Sequence, residues 1–188
     1  MKRFGWMALA SLIGAPVMAL DLDTSKASNW SIALHPQSGE AVVVGTISFE
    51  PVEGGLTYKV DWDDSQFTDQ FLSMRPFKCL EGPKKQWCRV PYPYENRRVV
   101  SEADLTDLEY DLMFIWKNQG DYGINMWNGV YYQIETADGA MIGEMNDMDM
   151  DLLSAPPDEG ILRPIEEFDL EPADPDSHWL PKLVLTIK

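Results

Sequence analysis

Apolar and polar residues alternate at period two along much of this chain, and turn residues cut the alternation at short intervals. Such a pattern builds half-buried strands and excludes a helical bundle. Residues 40–50, EAVVVGTISFE, are rich in β-branched side chains, and Gly54-Gly55 breaks the run. Residues 56–62, LTYKVDW, alternate and stop at Asp63-Asp64-Ser65, so the two runs read as an antiparallel pair. Residues 30–35 and 66–74 are weaker strand candidates on either side.

Residues 122–127 are followed by Asn128-Gly129 and then by 130–135. Asn-Gly between alternating runs signals a two-residue hairpin, because both turn positions need positive φ. Asp138-Gly139 then reverses the chain into 141–146, and a three-stranded meander is expected. Ser101 is placed to cap a short helix over 102–111, with Asp104 three residues on and Leu105, Leu108 and Leu112 at helical spacing. Residues 112–116 return to strand composition. In residues 179–188, WLPKLVLTIK, Leu183, Leu185 and Ile187 alternate with polar partners and form a closing strand. The expected fold is all-β and mainly antiparallel, a closed barrel of lipocalin-like shape or a sandwich, with at most one short helix and one disulfide hairpin.

Residues 1–19 have the form of a secretory signal peptide. Lys2 and Arg3 precede a short apolar run, and Val17 and Ala19 supply small residues at the cleavage point. The apolar run is shorter than the ~20 residues needed to span a bilayer. Cleavage near Ala19 leaves a single domain, 20–188, in the periplasm or secreted, with no transmembrane segment. Its formal charge is −18, which argues against nucleic acid as a partner. The two cysteines, Cys79 and Cys88, are expected to form a disulfide across a hairpin, with Gly82-Pro83 at the turn.

Charge is unevenly distributed. Residues 75–98 carry seven bases against Glu81 and Glu95, a local +5, while the rest of the mature chain carries −23. A focused positive patch attracts anions even on an acidic protein. The contact surface expected from this segment comprises Lys78, Lys84, Lys85, Trp87, Arg89, Tyr92, Tyr94, Arg97 and Arg98. The alternative is internal pairing of these bases with the acidic stretch 144–176. Within it, residues 154–176 hold five prolines and a single base, Arg163, and read as an acidic loop. Pro91-Tyr92-Pro93-Tyr94 forces extended backbone at an edge or rim, where the tyrosines are either displayed or packed inward.

Other clusters point to structure rather than chemistry. Asp147, Asp149 and Asp151 share a strand face but fail the calcium-loop pattern, because Leu152 stands where glycine is needed. Met141, Met145, Met148 and Met150, with Met126 nearby, suit adaptable core filling better than soft-metal binding. The chain has no G-x-S-x-G, H-E-x-x-H or glycine-rich phosphate loop, and its two histidines, His35 and His178, are far apart. No catalytic residue, metal or cofactor is assigned. The sequence thus suggests a non-enzymatic exported protein that contacts an anionic envelope component or a protein partner through the basic disulfide hairpin. An inhibitor of an exported hydrolase and a carboxylate-dependent hydrolase are the alternatives.

Overall fold

The computed structural model describes residues 22–71, 76–137 and 139–188. The expected signal segment, Arg75 and Asp138 lie outside the described residues. Among the described residues twelve strands make one antiparallel sheet: β1 Ser28–His35, β2 Val42–Val52, β3 Gly55–Trp62, β4 Thr68–Phe71, β5 Pro76–Glu81, β6 Lys85–Arg89, β7 Val99–Val100, β8 Phe114–Asn118, β9 Gly129–Ala137, β10 Ala140–Met148, β11 Leu170–Pro172 and β12 Lys182–Ile187. The one α-helix among the described residues, α1, is Thr106–Asp111. Across the sheet the order is β4-β5-β6-β8-β9-β10-β12-β1-β2-β3-β7, and β11 adds to β10. The ladder is open: β4 and β7 are its ends, and no strand pair joins them among the described residues.

A short link forces this sheet to curl. β3 and β4 are separated by nine inter-strand steps along the sheet, which would span about 43 Å if the sheet were flat. Yet the chain passes from Trp62 to Thr68 through a single 3-10 turn, Asp64–Gln66, and six residue steps reach at most about 20 Å. The two margins must therefore meet. Trp62 of β3 packs edge-on against Phe114 of β8, with ring centroids 5.8 Å apart.

Curling gives the sheet an inner and an outer core. Inside lie Ile32, Leu34, Ile47, Phe49, Leu56, Trp87, Phe114, Tyr132, Leu183 and Leu185, all 2 % exposed or less. Leu108 of α1 and Leu112 beyond its end enter this core, while Glu109 accepts from the Ile134 amide of β9 at 2.6 Å. The outer core sits on β5, β6, β8, β9 and β10, around Cys79, Cys88, Ile115, Tyr131 and Met148. Met141 and Met145 fill the inner core, Met148 and Met150 the outer one.

Two local expectations are corrected. Residues 122–127 are not a strand, and Asn128-Gly129 is not a hairpin turn. Met126–Asn128 is a 3-10 turn capped by Asn125, and Gly129 has φ of −66°. A side chain at Gly129 would meet Met150 Cγ at 2.5 Å, so this glycine serves close packing. The meander exists, but its first strand is β8. At its second turn Gly139 does take positive φ, +85°, and joins β9 to β10 with Ala137 opposite Ala140. The helix also starts later than expected. Ser101 forms a bridge with Asp104, and the Asp104 carboxylate accepts the Thr106 amide instead.

Cys79 and Cys88 are bonded and directly opposed on β5 and β6, and both are fully buried. Replacing both with alanine should cost about 2.5 kcal/mol, from the loop-closure entropy of a ten-residue ring. Urea denaturation of the double variant checks this; a loss under about 1 kcal/mol would show that the ladder alone holds the hairpin.

Candidate functional site

Where the curled sheet fails to close, a groove of about 500 Å³ opens. One wall is the outer edge of β3. That strand pairs with β2 along its whole length, but β7 covers only Leu56 and Thr57 on the other side. Arg98, immediately before β7, has φ of +54°, in the left-handed region that non-glycine residues rarely occupy. The turn is held by Asn96, whose side-chain oxygen accepts the Arg98 amide at 2.9 Å. The chain therefore leaves the sheet, and on this outer edge residues 58–62 of β3 have no strand beside them among the described residues. The opposite wall is the start of β5, where Pro76, Phe77 and Lys78 pair with β4 ahead of the β6 pairing over Cys79–Glu81.

The groove floor is apolar, with Val60, Trp62, Val90 and Met113 among its lining residues. Bases line it too: Lys59, Lys78, Arg89 and Arg98. Each has a carboxylate partner: Asp61 at 2.5 Å, Asp69 at 3.0 Å, Asp64 at 3.0 Å and Asp111 at 2.9 Å, in that order. Arg89 spans the seam, its guanidinium 4.9 Å from the Trp62 ring centre and 4.5 Å from that of Phe67. Asp61, Asp69 and Asp64 are all more than half exposed. Pairs of that kind contribute about 0–1 kcal/mol and exchange readily for other anions. The Tyr58 hydroxyl shares its one proton between the Asp107 carbonyl at 2.6 Å and the Asp111 carboxylate at 3.0 Å. Burial, then the Asp111 charge, pushes its phenol above the ordinary range, so it stays a donor.

The nine residues expected to form one contact surface are dispersed. Lys78, Arg89 and Arg98 reach the groove. Lys84 lies at the β5–β6 turn, and neither its ammonium nor the Arg97 guanidinium has a carboxylate partner among the described residues. Lys85 sits at the other end of β6 from Arg89, about 13 Å away along the strand. It donates to the Ser177 carbonyl at 2.8 Å and lies over the Trp116 ring. Burial lowers the Lys85 pKa, with Asp147 opposing. Trp87 has no exposure; its ring nitrogen donates to Tyr132 at 3.1 Å.

Tyr92 and Tyr94 pack inward, and their hydroxyls donate to the Leu162 and Leu153 carbonyls at 3.0 and 2.8 Å. They hold the acidic loop together with Tyr110, which accepts the Ile165 amide at 2.7 Å. Arg163 also ties that loop down, reaching Asp104 at 2.7 Å and Asp107 at 2.6 Å. The seam bases thus use nearby aspartates, and none of these pairs involves the 144–176 stretch.

Catalytic readings find little geometry. Asp147 faces His178 at 3.2 Å, while Asp149 caps the Asp151 amide, so these carboxylates act separately. The Ser177 hydroxyl donates to the Asp174 carbonyl, and the His178 ring packs edge-on against Trp87 and Trp116. Glu109 is raised above the usual carboxylate range by burial, against hydrogen bonds from Ile134 and Tyr131. Its two oxygens are occupied by that amide and by the Tyr131 hydroxyl at 2.5 Å, so it braces α1 on β9.

A pKa raised by folding gives stability that is complete below the unfolded value and declines as pH rises through the folded one. Glu109→Gln should therefore remove a loss of stability that wild type suffers as pH rises above 4.5, the ordinary value for a glutamate. Urea midpoints of both proteins from pH 4 to 8 check this. A pH-independent difference between them would contradict the assignment.

Comparison with protein-family models, curated proteins and solved structures finds no match to this chain. The groove residues Tyr58, Val60, Trp62, Asp111 and Met113 carry no sequence signal of a site. Tyr58, Val60 and Trp62 read from their alternation as core and Asp111 as the end of a helix, while the positive φ at Arg98 is visible only in the folded chain.

Proposed function

We propose that this chain is an exported, non-enzymatic binding protein, an incomplete barrel whose open seam takes an extended segment of a partner polypeptide. The observation that carries this reading is the outer edge of β3 at residues 58–62, which faces the groove and pairs with no strand among the described residues. Free strand edges recruit further strands, with main-chain hydrogen bonds giving affinity and alternate side chains giving specificity. The filled inner core favours a contact at the seam over a ligand held inside the curl. Apolar floor residues suit alternate apolar side chains of the partner. Lys59, Lys78 and Arg98 on the rim suit carboxylates between them, replacing the exposed partners Asp61 and Asp69. Export follows from residues 1–19, and the mature protein should begin near Leu20.

The test uses a synthetic octapeptide of alternating valine and glutamate, and its valine–lysine counterpart. The acidic peptide should bind at least tenfold more tightly and slow amide exchange at residues 58–62. A Lys78→Ser/Arg98→Ser variant should lose that preference at low salt. Unchanged exchange across β3 at saturating peptide would end the proposal.

A further inference from the structure

A second cavity, of about 260 Å³, lies far along β8 from the seam, under the connection between β8 and β9. Lys117 lines it: the residue is 7 % exposed, and its ammonium, which still reaches solvent, makes no hydrogen bond or ion pair among the described residues. Its stem is packed away while the charged head stays at the surface, open to an anionic partner. Here the ammonium faces a cavity whose other polar groups are only partly used. Asn125 accepts the Trp127 amide through its oxygen at 3.2 Å, leaving its NH₂ available. Asn128 donates to the Trp116 carbonyl at 3.1 Å, leaving its oxygen available. Asp121 accepts from Asn118 at 2.8 Å with one oxygen, leaving the other. Tyr122, which lines the cavity, has a fully exposed ring, and Trp127 on the same turn is 71 % exposed.

We propose that this cavity binds a single sugar ring bearing a carboxylate. Donors and acceptors mixed within one small space match hydroxyl groups, each of which both gives and accepts. The volume lies just below the usual ~300–1,000 Å³ of drug-sized sites, which suits one ring. An exposed aromatic face offers a flat apolar platform for the C–H side of that ring. Lys117 supplies the anionic preference, because a carboxylate completes its empty partner position. This site is independent of the seam, and no residue is common to the two.

Calorimetric titration with glucuronate, glucose and acetate tests the proposal. Glucuronate should bind about tenfold or more above glucose, since the difference is one charge-assisted contact. Acetate should bind at least tenfold more weakly than glucuronate. Lys117→Met should erase the preference for glucuronate over glucose. Tyr122→Ser, at a fully exposed position that cannot disturb folding, should weaken both sugars together. Equal binding of glucuronate and glucose to wild type would overturn the role of Lys117. Acetate matching glucuronate would overturn the sugar assignment, and no glucuronate binding at millimolar concentration would overturn the site.

Discussion

Replacing Trp87 with alanine should lower the unfolding free energy by about 4 kcal/mol, the usual cost of emptying a large aromatic site in a packed core. The ring is fully buried, edge-on to His178 and Trp179 at 6.1 and 6.4 Å, and its nitrogen donates to Tyr132. Tyr132 in turn donates to the Leu180 carbonyl at 2.7 Å, which ties β9 to the segment entering β12. Trp87→Phe should cost less, because Tyr132 keeps the Leu180 bond and most apolar area is restored. Urea denaturation of both variants measures the effect. A loss below about 2 kcal/mol for alanine would mean that the neighbouring rings collapse into the space.

Arg163→Ala should cost about 3 kcal/mol, because it strands a carboxylate that the fold keeps from water. The Asp107 side chain is only 5 % exposed, and its other oxygen accepts the Val99 amide at 3.1 Å. The effect should extend beyond stability. With Arg163 gone, residues 154–166 lose their ionic anchor and should be cut faster by protease. Arg163→Lys should recover less than half of the loss, since one ammonium cannot fork between Asp104 and Asp107 as a guanidinium does. A loss under about 1 kcal/mol would place this pair with ordinary surface bridges.

These two residues mark what could be read from sequence. Strand composition, the Gly139 turn and the cysteine pairing are local, and alternation or turn chemistry reveals them. Trp87 looked displayable because it stands among bases, yet its strand alternates Lys85, Trp87 and Arg89 onto the inner face of the curl. Sequence distance hides that curl, which depends on the link between β3 and β4 and on pairings between remote strands. The same blindness affected Asn128-Gly129. Its local turn preference was overridden by Met148 and Met150, which press close to Gly129 from another part of the chain. Charge counting found the basic segment but not its neighbours, because Asp64 and Asp69 come from the segment between β3 and β5 and Asp111 from the end of α1. Lys117 gave no sequence signal at all; its isolation is visible only once the chain is folded.

β12 joins two otherwise separate groups of strands, lying between β1 on one side and β10 on the other. A chain synthesised amino end first exposes β1, β2 and β3 long before that bridging segment is made. Until then β1 presents a sticky margin to any passing chain, and completion must await a very remote encounter. Slow folding, gated by that last pairing, follows from the placement.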